Sequence, residues 1–400
     1  MATILSTWMI KTLAGNGEAG FAGDGGSADR ACLNEPKGVT IDHHGNVYVA
    51  DSENHVIRKI DCVSGIISTV AGRSSDDKTH APVRREAGVQ PTDEDPFADS
   101  GRTTTEKFTQ QADLSGTVRY WTNGAPASQR YGGDGGPAVS ADLNFPTAVA
   151  VDREGNLYIA DTMNHRVRMV ETATGMISTL AGTGQARFSG DGGPAHHAAL
   201  NEPSALVVDD EGRLYIADQS NHRVRMVDLK TRVIHTVAGT GTATYDGDGQ
   251  HAVDAALAGL SGLALTADRL YIADTFNGRI RCVQLSSGLI STVAGDGGAY
   301  RYESPSDPPS PSLSRPTGIA VDHQGNLFLT DSDSHLIRQW DWADGVARCV
   351  AGVGVPAYSG DGAVAKEASL CYPFGIAAGR DGTLLVADTF NHRIRMLALE

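Results

Sequence analysis

A chain of 400 residues with 47 glycines, 40% apolar residues and no collagen period suits many short strands and tight turns in one large β domain. A net charge of −15, with no stretch that gathers Lys and Arg, argues against non-specific nucleic-acid binding. The cysteines (Cys32, Cys62, Cys282, Cys349, Cys371) are scattered without a C-x-x-C pair, no apolar run approaches the ~18 residues of a membrane span, and the N-terminus lacks a signal pattern. The expectation is a soluble cytoplasmic protein with no disulfide framework, no zinc site, no nucleic acid and no membrane partner.

In chain order, the opening STWMIKTLAG aligns with TGMISTLAG, which returns at 174–182. FAGDGG follows at 21–26, and NVYVADSENHVIRKI begins at 46. Beyond a segment without either phrase come YGGDGG at 131–136 and NLYIADTMNHRVRMV at 156–170. The pattern continues with FSGDGG at 188–193, RLYIADQSNHRVRMV from 213, YDGDGQ at 245–250, RLYIADTFNGRIRCV from 269 and NLFLTDSDSHLIRQW from 326. YSGDGA at 358–363 and TLLVADTFNHRIRML from 383 close the series. The repeated aspartates are Asp51, Asp161, Asp218, Asp274, Asp331 and Asp388, spaced by 56 or 57 residues after a first interval of 110.

Each unit carries four runs with strand character. TAVAVD at 147–152 is followed by a GN turn, then LYIAD, the alternating NHRVRMV, a glycine turn and MISTLAG. Four strands per repeat make a propeller blade. Because the chain starts on a fourth strand and stops after a third, its two ends complete one blade and close the ring. The fold expected is all-β, a six-bladed β-propeller with four-stranded blades over residues 1–400. Residues 73–130 are a long insertion in the connection between the first and second repeats, placed by standard propeller winding on the top face, with the glycine-rich loops and the NHR turns.

The phrases AVD, NLYIAD, NHRIR, STVAG and GDGGPA resemble bacterial NHL repeats across nearly the whole chain outside 73–130. That resemblance implies a six-bladed propeller. It leaves the function open, because such proteins bind RNA, proteins or peptides and have lyases and lactonases among their relatives.

Groups that recur with the fold read as architecture. The aromatic-x-G-D-G loops occur five times, so a structural turn in which Asp caps its own backbone is preferred to a phosphate cradle. Calcium is the alternative cofactor, with YDGDG at 245–249 the best candidate, and no metal site is otherwise indicated. His55, His165, His222, His335 and His392 read as turn histidines bonded within their own blades. Arg58, Arg168, Arg225, Arg281, Arg338 and Arg395 should point toward the repeated aspartates.

Function is sought where the repeats disagree. Around the proline that starts each innermost strand, the following residue is Lys37, Thr147, Ser204, Thr317 or Phe374, with Ser261 in the fourth unit. The preceding one is Glu35, Phe145, Glu202, Arg315 or Tyr372, with Leu260 as counterpart. These residues are expected at the channel mouth, with Tyr120 and Trp121 of the insertion closing over it. The fourth unit also departs by replacing the histidine with Gly278. The reading is a propeller that binds a small molecule, peptide or protein at its top face and channel. The alternative is a lyase, cyclase or hydrolase working at the channel mouth, although no nucleophile motif or metal triad is found.

Overall fold

The computed structural model describes residues 7–74, 130–298 and 311–400. Period-two alternation and β-branched residues give short antiparallel strands, grouped into six sheets that stand as blades around a ring. In the first blade they run, from the axis outward, Pro36–Ile41, Val47–Asp51, Val56–Ile60 and Ile67–Ala71. The second strand is buried along its whole length in four blades and everywhere except its first residue, Arg213 or Arg269, in the other two, because a neighbouring blade covers each of its faces. The apolar cores therefore lie between blades. One cluster joins Tyr158 and Leu180 of the second blade to Leu206 and Ile216 of the third.

The innermost strands are Pro36–Ile41, Pro146–Val151, Pro203–Val208, Gly262–Leu265, Pro316–Val321 and Pro373–Ala378. Five begin with proline, which cannot donate to a ladder and is tolerated at a first strand position. They crowd the axis closely. A Cβ at Gly262 would stand 2.1 Å from the Thr317 carbonyl oxygen, and one at Gly318 2.3 Å from that of Phe374, so only glycine fits there.

The ends of the chain close the ring as expected. Trp8–Ala14 pairs antiparallel with Arg393–Leu399 as the outer strand of the sixth blade, and Ala363–Val364 adds a short fifth strand beyond it. Most of the 73–130 insertion, with Tyr120 and Trp121, lies outside the described residues. Its flanks are fixed: Arg73 donates to both carboxylate oxygens of Asp142 (2.6 and 3.0 Å), and the Arg130 carbonyl accepts from Asn164 Nδ2 (2.7 Å).

The arginines are buried and turn to the aspartates, as read from the sequence. Arg225 is fully buried, with Nη1 3.4 Å from Asp218 and Nη2 2.6 Å from Asp191. The second contact corrects the reading of the glycine-rich loops. Asp24, Asp134, Asp191, Asp248 and Asp361 do not mainly cap their own backbone; each gives the arginine of the following blade a second carboxylate. A buried guanidinium needs that compensation. The loop ring lies over the same arginine, with Tyr131 4.9 Å from Arg168 and Phe188 4.7 Å from Arg225.

The histidines are also structural, but they work between blades. His55 Nδ1 accepts the Phe145 amide of the second blade at 3.0 Å. His165, His222, His335 and His392 likewise accept from Glu202, Gly259, Tyr372 and Glu35, each at 3.2 Å. Every one of these imidazoles caps a short 3-10 turn in the left-handed conformation, which aims the ring across the junction.

Candidate functional site

The start of each innermost strand lies beside the end of its second strand, as in the pairing of Pro36 with Asp51. The AD-to-NHR turns and the rim of the channel therefore share one face. At that rim the structure brings Lys37, Thr147, Ser204, Ser261, Thr317 and Phe374 together around a central cavity of about 260 Å³. Below them the wall is mainly Gly, Ala, Val, Leu and Ile side chains of the inner strands. Lys37 is the one charged side chain in this wall among the described residues.

Most rim hydroxyls are already engaged. Thr147 Oγ1 donates to the Ser204 carbonyl (3.1 Å), Ser204 Oγ to the Leu260 carbonyl (2.7 Å) and Thr317 Oγ1 to the Phe374 carbonyl (3.4 Å), so each ties its strand to the next. Ser261 Oγ lies 3.0 Å from Thr275 Oγ1 and is less buried. These groups shape a smooth, mostly apolar mouth.

Residues before the proline are arranged differently from the expectation. Glu35, Phe145, Glu202 and Tyr372 have φ between 46° and 53°, a left-handed turn that gives their amides to the histidines and takes their side chains off the cavity wall. Phe145 is fully buried, Tyr372 packs edge-on against His335 (4.5 Å), and Glu202 accepts from Ser220 Oγ (2.5 Å). Leu260 is buried as well.

A second variable position accompanies them and was missed in the sequence. It lies between the repeated aspartate and asparagine, at Glu53, Met163, Ser220, Phe276, Asp333 and Phe390. Within a blade it pairs with the residue before the proline: Asp333 with Arg315 (3.3 Å), Phe390 with Tyr372 (5.2 Å between rings), Ser220 with Glu202. The matched variation of A-D-x-x-N with x-P was the signal available.

The first blade departs from this matching, because it places two carboxyls, Glu35 and Glu53, side by side. Lys37 is the nearest countercharge, with Nζ 3.3 Å from Glu35 Oε2. Three rings surround that ammonium: Phe374 at 4.6 Å, Phe390 at 5.4 Å and Phe145 at 5.5 Å. Burial pulls the Lys37 amine below its ordinary value, against the pull of Glu35. Burial, followed by the charge of Glu35, pushes the Glu53 carboxyl up to about 7. Among the described residues no group of three or more His, Cys, Asp or Glu could hold a metal ion, and the YDGDG loop spends Asp248 on Arg281 (2.7 Å).

Comparison with known proteins agrees with the fold. The Teneurin NHL domain family model matches residues 12–91 and 120–187, and the NHL repeat model matches 200–225, 313–340 and 370–396. The chain is 27% identical over 309 residues to Protein SUPPRESSOR OF QUENCHING 1, chloroplastic, of Arabidopsis thaliana, covering 71% of this chain and 28% of that protein. It is 34% identical over 264 residues to human Teneurin-4, covering 56% and 9%. NHL repeat-containing protein 2 of Bos taurus is 28% identical, covering 66% and 41%. The chain thus spans less than half the length of these relatives. Among solved structures, an auxiliary nutrient binding protein of Bacteroides thetaiotaomicron superposes with a TM-score of 0.61 at 14% identity, over 99% of this chain and 77% of that one. A gluconolactonase of Xanthomonas campestris gives 0.51 at 12%, over 92% and 87%. At such identities the likeness is one of fold.

Proposed function

Because this chain belongs to the NHL-repeat family of six-bladed propellers, we propose that it is a binding propeller that takes a small molecule or peptide end at the rim of its central channel. What carries this reading is the convergence of the variable positions. The repeats agree on strands, arginines and loops, yet the residue at the start of the inner strand is lysine in one blade, phenylalanine in another and serine or threonine in the other four, and all six of these residues meet around one cavity. An apolar wall with one ammonium and a few hydroxyls suits a small, largely apolar ligand oriented by a single polar end. The enzyme alternative finds less support, since Lys37 is the only titratable side chain in the described wall. The five thiols are unpaired, which supports a reducing compartment such as the cytoplasm.

The test uses a plug. Ala148 lines the cavity one residue beyond Thr147, and Ala148→Trp introduces an indole to fill it. Small molecules that co-purify with the protein are identified by mass spectrometry after denaturation, for the native chain and the plugged variant at matched melting temperature. A compound present in the first and lost from the second is the expected outcome; equal retention in both moves the ligand off the channel.

A further inference from the structure

Lys37 stands apart from every other described lysine. Lys11, Lys230 and Lys366 are exposed and Lys59 is half-buried, whereas Lys37 is 6% exposed, in the wall of an apolar cavity. Its surroundings hold charged or titratable groups from several blades: Glu35 and Glu53 of its own blade, Arg315 of the fifth and His392 of the sixth. Glu35 is its hydrogen-bond partner, and the three phenylalanine rings keep bulk water away from the nitrogen. An extra anion brought here would meet two carboxyls already competing for one ammonium. A neutral ligand would not.

We propose that Lys37 is an amine nucleophile that captures a small neutral aldehyde or ketone from the channel as a reversible Schiff base, an inference that rests on the channel being a ligand site. The uncharged Nζ adds its lone pair to the carbonyl carbon, and the first of its two protons passes through Glu35 to the carbonyl oxygen, forming a neutral carbinolamine. Glu35, 3.3 Å away, then accepts the second proton released by nitrogen and passes it to the departing hydroxyl. Water leaves, the C=N bond forms, and no other reagent is consumed. Desolvation in an apolar pocket is a known way to activate a lysine amine, and here it acts in that direction.

The test is reductive trapping on the intact protein with butanal and cyanoborohydride at pH 7, read by peptide mapping. Lys11, Lys230 and Lys366 serve as internal standards, so no variant has to fold for the comparison. Labelling of Lys37 several-fold faster than those lysines is expected, because burial keeps more of its amine uncharged. Labelling of Lys37 should persist to lower pH than theirs, and Glu35→Gln should slow it selectively. Butanol, the unreactive counterpart of butanal, should protect Lys37, and Ala148→Trp should abolish its labelling. If butanol binds the native chain and not the plugged variant, yet Lys37 reacts no faster than the exposed lysines, the Schiff-base assignment falls and the channel site stands. If butanol binds neither, the channel reading falls too. Rapid labelling of Lys37 in the plugged variant also overturns the assignment, because the carbonyl would then arrive by another route.

Discussion

Five junctions between neighbouring blades carry an imidazole that accepts an amide from the next blade; the junction between the fourth and fifth does not. There Gly278 holds the left-handed turn position, and the Arg315 amide turns back to Asp331 Oδ1 of its own blade (3.0 Å), beside that of Ser314 (3.0 Å). Arg315 also lacks the positive φ of its counterparts. A buried amide must find an acceptor in either case. Only the identity of the acceptor decides whether the bond ties two blades or stays within one. What still crosses the fourth junction is Thr275 Oγ1 donating to the Pro316 carbonyl (2.8 Å) and an apolar cluster joining Tyr271 to Ile319 and Leu329.

The comparison can be broken most severely at the point where the ring closes. Removing residues 1–14 deletes the strand Trp8–Ala14 and bares the edge of Arg393–Leu399. Aggregation or a fall in melting temperature of more than about 10 °C is expected by calorimetry; a soluble truncation with unchanged melting would show that blades hold without closure. Next in size is Arg225→Ala, which strands Asp218 and Asp191 without their guanidinium. A loss on the order of 3 kcal/mol in denaturant unfolding is expected. Unaltered stability with lost ligand binding would make this arginine part of a site.

His55→Gly copies the fourth turn onto the first blade. It leaves the Phe145 amide without its acceptor, while glycine relieves the left-handed backbone, so a loss of about 1 kcal/mol is expected. A neutral result would mean that the imidazoles fill space only.

Acid sharpens the same comparison. Burial holds His55 and His335 down at about 4, so the unfolded chain, near 6.5, takes up protons first, and the stability these groups provide is lost as pH falls from about 6.5 toward 4. Asp51, Asp161, Asp218 and Asp274, raised by burial to about 6, act with opposite sign over the lower part of that window. The two contributions separate in a difference: His55→Gly should lose less stability than the native chain between pH 7 and 4.5. Equal slopes would contradict a buried, uncharged imidazole. The smallest effect is expected from Gly278→His, within about 0.5 kcal/mol, because the Arg315 amide is already bonded; a clear stabilisation would show that the fourth junction lacks only its ring.

Much of the fold was legible in the sequence because a phrase written six times averages out local ambiguity. NLYIAD and its copies gave the buried second strand, and STWMIKTLAG gave the closure. The rim was half legible. Residues after the proline sit on a strand whose alternation fixes their direction, so Lys37 and Thr147 could be placed. Residues before it sit at positive φ, which reverses the side-chain direction, and nothing in the letters of Glu35 or Phe145 announces that reversal. The histidines were misread for a related reason. A turn position says where His55 begins, and only the left-handed turn shows that it reaches into the next blade. Glu53 and Phe390 went unnoticed because attention to the proline hid a second variable column seventeen residues downstream of it.

The pairing of Trp8–Ala14 with Arg393–Leu399 also sets a waiting time. Within the propeller, the strand Trp8–Ala14 precedes every other described strand and its partner Arg393–Leu399 follows them all, so at about 5–20 residues per second a ribosome needs roughly 20–80 s to supply the partner. Throughout that interval an amphipathic segment with a tryptophan has no ladder to join, while five complete sheets form behind it. Its closure is the longest loop in the propeller, so the ring is completed by an encounter between strands far apart in sequence, and a factor that shields Trp8–Ala14 during synthesis would raise the yield of closed rings.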